Sequence, residues 1–88
     1  MFYVYCLESE QNDDLYFGYT NNLKRRFKEH NQKLNFSTKK YATWKLVYYE
    51  ACLNINDAKR REGYLKTSQG RRMMKIRLKE YFYEKRKI

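Results

Sequence analysis

The chain has 88 residues, enough for one small domain with a single hydrophobic core. Twenty lysines and arginines stand against ten aspartates and glutamates, and the formal net charge of +10 favours a polyanionic partner. The sequence has no run of about 18 apolar residues, so it predicts no membrane-spanning segment and no membrane partner.

Cysteine usage and the N-terminal segment indicate a cytoplasmic location. Cys6 and Cys52 lie far apart in strand-like runs and are interpreted as reduced, buried thiols. His30 is the only histidine, so the sequence lacks the ligands of a zinc site. Met1 leads directly into a strand-like segment without preceding basic residues, so no secretory leader is expected.

The first half of the chain predicts two strands and a helix. Residues 2–7 and 15–20 are rich in aromatic side chains, which is typical of strands. The short polar connection between them makes the two strands antiparallel. A helix follows, with Asn21 or Asn22 as its N-cap and its end near Gln32.

The second half predicts one more strand and two helices. Residues 44–52 form the third strand, and Asn56 or Asp57 caps a helix that ends near Lys66. Gly70 then separates this helix from a long basic helix. The predicted fold is α+β: a small three-stranded mixed sheet covered by helices in the order β-β-α-β-α-α, with all 88 residues in a single domain.

Polar residues lie on the apolar face of the first predicted helix. At about 100° per residue, Leu23 and Phe27 face the sheet, and Arg26 and His30 fall on the same side. An arginine turned inward needs an anionic partner, which is either a bound anion or the carboxylate of Glu62 in a buried ion pair. The opposite, solvated face carries three basic residues: Lys24, Arg25 and Lys28.

The second predicted helix carries a carboxylate in the same kind of position. Glu62 lies in one stripe with Ala58 and Leu65, at the spacing of a sheet-facing surface. The alternative is an ordinary surface glutamate paired with Lys59 or Lys66.

Two tyrosines on the predicted strands complete the set of candidate residues. Alternation places Tyr3 and Tyr5 on one face of the first strand, and Tyr16 and Gly18 on one face of the second. Glycine inside a strand marks a bulge or a close approach by a ligand or another backbone. If the two faces coincide, Tyr5 and Tyr16 converge beside Gly18; simple aromatic packing is the alternative.

Five ordered segments of the chain resemble those of the GIY-YIG nuclease superfamily. The two short motifs correspond to Tyr3-Val4-Tyr5 and Tyr16-Phe17-Gly18. The first helix, third strand and metal-bearing helix correspond to residues 19–30, 44–50 and 58–66. The chain is most similar to small standalone bacterial proteins that resemble the N-terminal nuclease domain of the bacterial repair excinuclease.

The resemblance implies a role for each inward-facing polar residue. The catalytic arginine of the family falls on Arg26, the metal-binding glutamate on Glu62, and the two motif tyrosines on Tyr5 and Tyr16. A histidine that assists a tyrosine in some members falls on His30. The chain departs from the pattern in two places: Tyr3 stands where the first motif has glycine, and residues 67–70 offer no match for an asparagine that many members carry.

The expected activity is therefore that of a metal-dependent endonuclease that uses Mg²⁺ or Mn²⁺ to hydrolyse phosphodiester bonds. DNA is favoured over RNA, in a repair or recombination setting, and protein partners are left open. The alternatives are a non-catalytic nucleic-acid-binding module with the same fold and a basic RNA-associated protein. The basic residues expected to contact phosphates are Lys24, Arg25, Lys28, Lys39, Lys40, Arg71, Arg72, Lys75 and Lys79.

Overall fold

The computed structural model of the chain describes residues 1–33, 38, 40 and 43–86. Its elements, in chain order, are β1 (Phe2–Ser9), β2 (Leu15–Thr20), α1 (Leu23–Asn31), β3 (Trp44–Cys52), α2 (Ile55–Leu65), α3 (Ser68–Arg77) and α4 (Lys79–Arg86). Within these described ranges, no helix has the length and apolar character needed to cross a membrane.

The three strands form one sheet in the order β2-β1-β3, and both neighbours run antiparallel to β1. The α+β class with a three-stranded sheet is confirmed, although the sheet is antiparallel where a mixed one was expected. Strands β2 and β3 run in the same direction as each other, because each is antiparallel to β1. Because β1 lies between them, no parallel pair forms in the described sheet.

Each face of the sheet buries a separate core. On one face, Val4 and Cys6 of β1 pack with buried residues of α2 and α3. On the other face, Tyr5 and Leu7 pack with Trp44 and with partly buried residues of α1. The alternation of side chains along β1 produces this division, because successive residues of a strand point to opposite faces. The central strand therefore carries Tyr5 beneath α1.

The helix N-caps match the sequence in α1 and differ from it in α2. The side chain of Asn22 accepts a hydrogen bond from the Arg25 backbone N–H at 3.1 Å, which confirms one of the two expected caps. In α2 the cap is Asn54, not Asn56 or Asp57. Asn54 has the extended backbone that an N-cap requires, and its side chain accepts from the N–H of Asn56 at 2.8 Å.

Gly70 does not separate two helices as the sequence predicted. It lies inside α3, whose N-cap is Thr67. A Cβ at position 70 would lie 2.1 Å from the backbone oxygen of Tyr64, so glycine allows the end of α2 and the start of α3 to pack closely. The expected long final helix instead divides at Leu78 into α3 and α4.

The buried carboxylate of Glu8 on β1 forms hydrogen bonds with side chains of α4. Glu8 is 4% exposed, and it accepts hydrogen bonds from the Tyr81 hydroxyl at 2.5 Å and from Lys85 Nζ at 2.8 Å. Lys85 also donates to Asp13, at 2.5 Å. Buried carboxylates need such partners, so these contacts fix α4 against the sheet.

Candidate active site

Tyr5 lies at the centre of the predicted site, on the middle strand and opposite Gly18 of β2. A Cβ at position 18 would lie 2.4 Å from the Tyr5 hydroxyl oxygen and 2.6 Å from its ring carbon Cζ. Gly18 therefore marks a close approach, as the sequence predicted, but the approaching group is the phenol of Tyr5. The glycine leaves room for that ring to lie across β2.

The structure brings Tyr5, Tyr16 and His30 together. Tyr5 Oη and His30 Nε2 form a hydrogen bond of 2.9 Å, and both side chains are buried. The ring centroids of Tyr16 and His30 are 5.0 Å apart, and those of Tyr5 and Tyr16 are 6.4 Å apart. The predicted convergence of the two strand faces is thus present, and His30 of α1 contacts both phenol rings.

The second ring nitrogen of His30 has a partner that the sequence did not suggest. His30 Nδ1 lies 2.6 Å from the hydroxyl oxygen of Thr38, a buried residue between α1 and β3. The Trp44 indole Nε1 donates to the backbone oxygen of Thr38 at 2.9 Å. Thr38 lies between the first helix and the third strand predicted from the sequence, where no periodicity indicates which side chain points inward.

Arg26 presents a donor that nothing in the described chain satisfies. Its Nη1 pairs with Glu29 at 3.3 Å, and the side chain as a whole is 41% exposed. Its Nε, however, is buried and has no hydrogen-bond partner among the described residues. No ion pair joins Arg26 to Glu62 in the described residues, so the buried pair considered from the sequence is absent and Glu29 supplies the counter-charge.

Glu62 lies on α2, which packs on the opposite face of the sheet from α1. Its side chain is 17% exposed and forms an ion pair with Lys66, with Oε2 and Nζ 3.4 Å apart, as the surface-pair alternative expected. Burial is the main cause of the raised pKa of Tyr5, and the Glu62 charge adds to it to a smaller extent.

Glu62 alone would have to supply the protein ligand for a hard divalent cation. Within the part of the chain that the structure describes, no three histidine, cysteine, aspartate or glutamate side chains are grouped to hold a metal. A single, mostly buried carboxylate suits Mg²⁺ or Mn²⁺, because such ions keep several waters and need one or two carboxylates. Glu62 is the candidate ligand.

Burial sets the protonation of the central pair. Burial, then the nearby Tyr16, raises the pKa of Tyr5 to about 12, and the adjacent Arg26 guanidinium acts in the opposite direction. Burial, then the Arg26 charge, lowers the pKa of His30 to about 4, opposed by Glu29. At neutral pH Tyr5 is therefore a phenol and His30 a neutral imidazole, with one ring nitrogen able to accept a proton.

The predicted phosphate-binding residues lie at the surface, apart from one that cannot be placed. Lys39 lies outside the described residues. Arg71 is already in part engaged, because its guanidinium lies 5.4 Å from the centre of the Phe17 ring and donates to the backbone oxygen of Leu15 at 3.5 Å. The other exposed members of the set are Lys24, Arg25, Lys28, Lys40, Arg72, Lys75 and Lys79.

Comparison with known proteins identifies the domain family of the chain. The GIY-YIG catalytic domain family matches residues 1–77. UPF0213 protein CPE1444 of Clostridium perfringens (strain 13 / Type A) is 37% identical to the chain over 90 residues, covering 97% of the chain and 96% of that protein. No solved structure matches the chain significantly. Because the family match spans most of the sequence, and the relative has nearly the same length, the chain belongs to the GIY-YIG family of nuclease domains.

Proposed function

We propose that the chain is an endonuclease that hydrolyses phosphodiester bonds with the help of one divalent metal ion. The observation that carries this proposal is the orphaned Nε of Arg26 beside a phenol, Tyr5, that is hydrogen-bonded to a neutral histidine. An anion-binding donor and a proton-accepting chain thus lie next to each other, as phosphodiester hydrolysis requires.

Arg26 binds the scissile phosphate in this proposal. A buried N–H without a partner costs about 1–3 kcal/mol, so it favours any ligand that satisfies it. A phosphate oxygen would do so, and the guanidinium could contact the phosphate through two parallel donors. The same contacts stabilise the charge that builds on the phosphate oxygens during attack by water.

Tyr5 acts on the attacking water. A tyrosinate is a strong base, but burial holds the pKa of Tyr5 at about 12, so the free phenol needs a group that takes its proton. His30 Nε2, 2.9 Å from the hydroxyl, accepts that proton while the hydroxyl takes one from the water, and the Arg26 guanidinium stabilises the negative charge that develops on the Tyr5 oxygen. Tyr16, beside His30, orients the water together with Tyr5.

Glu62 holds the metal ion. A divalent ion bound there, Mg²⁺ or Mn²⁺, supplies Lewis-acid stabilisation of the leaving oxygen. Lys66, the present partner of Glu62, is half exposed at the surface and can turn away when a cation replaces its charge.

DNA is the proposed substrate, in a repair or recombination setting within the cytoplasm. The net charge of +10 suits a nucleic-acid backbone, and the free thiols Cys6 and Cys52 suit a reducing compartment. In this proposal all 88 residues form one nuclease domain. The exposed lysines and arginines of α1 and α3 bind phosphates without reading the base sequence.

A cleavage assay of the wild-type chain tests the proposal. Branched, nicked, duplex and single-stranded DNA and RNA are incubated with Mg²⁺, with Mn²⁺ and with a chelator. We expect cleavage of at least one DNA substrate with either metal and none with the chelator. Binding to every substrate without cleavage of any would instead support a non-catalytic module with the nuclease fold.

A further inference from the structure

Thr38 is a buried threonine whose hydroxyl and backbone oxygen both contact side chains around the site. Its hydroxyl oxygen lies 2.6 Å from His30 Nδ1, and its backbone oxygen accepts from the Trp44 indole at 2.9 Å. Trp44 is itself tied to α1, because its backbone N–H donates to Asn31 Oδ1 at 2.5 Å and its carbonyl accepts from Asn31 Nδ2 at 2.9 Å. The hydroxyl of Thr38 is therefore held at a fixed place beside the imidazole.

The hydrogen bonds of His30 can be arranged in only two ways while the ring is neutral. Either Nδ1 carries the hydrogen and Nε2 accepts from Tyr5, or Nε2 carries the hydrogen and Nδ1 accepts from Thr38. The charge of Arg26 discriminates between them. The positive charge of Arg26 near the Tyr5 hydroxyl attracts the lone pairs of its oxygen, so the hydrogen of that hydroxyl is directed towards His30 Nε2.

We propose that Thr38 is a positioning residue that fixes the tautomer of His30. Its hydroxyl accepts a hydrogen bond from Nδ1–H and so leaves Nε2 free to take the proton of Tyr5. The nitrogen that is protonated in a histidine is set by the hydrogen bond that the other nitrogen makes, and Thr38 supplies that bond. The assignment of the tautomer does not depend on the proposed function. The effect of the tautomer on the cleavage rate does rest on that proposed function.

The proton transfer balances within the chain. As the water oxygen bonds to phosphorus, a proton of the water bonds to Tyr5 Oη, the original O–H bond of Tyr5 breaks, and that proton bonds to His30 Nε2. Tyr5 remains a phenol and His30 becomes an imidazolium. The imidazolium keeps its Nδ1–H on Thr38, so no other group needs to move. In the opposite tautomer Nε2 already carries a hydrogen, and this transfer cannot begin.

The tautomer is measured directly by heteronuclear NMR of the isotope-labelled chain. His30 is the only histidine, so the two ring nitrogens need no further assignment. Three variants are compared with the wild type: Thr38→Val, which keeps the shape and removes the hydroxyl; Thr38→Ser, which keeps the hydroxyl; and Thr43→Val, which makes the same change at an exposed threonine. We expect protonated Nδ1 in the wild type, in Thr38→Ser and in Thr43→Val. We expect a shift towards protonated Nε2 in Thr38→Val.

The rate of cleavage is measured on the same four proteins. We expect Thr38→Val to lower kcat by about 10- to 100-fold, the usual effect of removing a group that orients a histidine, with Thr38→Ser restoring most of the rate. Protonated Nε2 in the wild type, or an unchanged tautomer in a folded Thr38→Val, would overturn the proposal. So would a changed tautomer with an unchanged rate. An absence of cleavage in all four proteins, together with the expected spectra, would reject the nuclease function and leave the tautomer assignment intact.

Discussion

Two adjacent arginines of α1 have different surroundings, and this difference predicts different effects of the same substitution. Arg25 is 64% exposed and has Glu29 3.9 Å away, whereas Arg26 keeps a buried, unpartnered Nε beside Tyr5. Arg26→Lys retains the charge but removes the forked donors. We therefore expect cleavage to slow by about 10²- to 10³-fold, the cost of losing a donor to a developing anion.

Arg25→Lys is the matched control, and we expect it to cleave at nearly the wild-type rate. Rates are compared at saturating substrate, and thermal melts of both variants establish that each is folded. Equal rates for the two variants would show that Arg26 does not contact the reacting phosphate.

His30 links the stability of the fold to pH. Its pKa is lowered from 6.5 to about 4 in the folded chain, so between these pH values the unfolded chain binds a proton that the folded chain does not bind. The free energy of unfolding is therefore highest above pH 6.5 and decreases as the pH falls towards 4. Urea unfolding of the wild type should show this loss between these values, and His30→Gln should lack that part of it. Identical pH dependence in the two proteins would contradict a buried, neutral His30.

For single residues, the side-chain positions that could be predicted from the sequence are those in helices and strands, whose regular period shows which residues face the sheet. The 3.6-residue period of a helix placed Arg26 and His30 on the sheet-facing side of α1 from the sequence alone, because Leu23 and Phe27 fixed the inward face. Thr38 was missed, because it lies outside the predicted helices and strands and so has no period to place it. The partner of Arg26 was also missed. The sequence analysis considered Glu62 on another helix, whereas the structure pairs Arg26 with Glu29, one turn further along α1.

The helices α2 and α3 contain one glycine each, and the two predict opposite changes in stability. A Cβ at Gly63 meets nothing within 4 Å, so Gly63→Ala should stabilise the fold by about 0.5–1 kcal/mol through the lower entropy of the unfolded chain. A Cβ at Gly70 would lie 2.1 Å from the Tyr64 oxygen, so Gly70→Ala should destabilise it by about 1–3 kcal/mol or more.

Chemical denaturation of the two variants gives both free energies of unfolding. Each substitution serves as the control of the other, because both replace a helical glycine with alanine. A stabilised Gly70→Ala would mean that α2 and α3 do not pack as closely as described.

Among the elements, strands were predicted better than helix ends. The third strand was predicted with the bounds of β3, Trp44–Cys52, because aromatic and aliphatic residues predominate there. The sequence predicted Asn56 or Asp57 as the cap of α2, and only the backbone shows that Asn54 takes the role. Gly70 resembled a helix stop by composition, but tertiary packing against Tyr64 decided its place inside α3. The division at Leu78 had no signal in the sequence.

The charge of the whole molecule predicts how binding depends on salt. A net charge of +10, with exposed basic residues on α1 and α3, favours contacts to several phosphates at once. The logarithm of the affinity for DNA should therefore fall with the logarithm of salt concentration with a slope of about −2 or steeper, and vary little with base sequence. Removing one exposed contact, in Arg72→Gln, should reduce the slope by about 1.

Fluorescence anisotropy across a salt series measures these slopes. Glu84→Gln, which changes an exposed residue of opposite charge on α4, serves as a control that should not make the slope shallower. A slope near zero in the wild type would contradict binding through the phosphate backbone.

The topology of the whole molecule explains how the site is assembled from distant parts of the chain. Helices α1 and α2 pack on opposite faces of the sheet, and Tyr5 lies on the central strand between them. Burial is the main cause of the raised pKa of Tyr5; to a smaller extent Arg26 of α1 lowers that pKa and Glu62 of α2 raises it. The sequence predicted which residues face inward, but not that the sheet is antiparallel with β1 in the middle. That strand order places Tyr5 within reach of both helices.

The central claim is that Glu62 holds the metal with which this chain cuts nucleic acid, and Glu62→Gln tests it most directly. The amide keeps the shape of the side chain and removes the charge that binds the cation, while Glu84→Gln removes the same charge from an exposed site on α4. Cleavage, DNA binding and thermal melts are measured on both variants. We expect Glu62→Gln to be folded, to bind at least as tightly as the wild type, and to lose cleavage, with Glu84→Gln fully active. Cleavage by Glu62→Gln at the wild-type rate would contradict the claim.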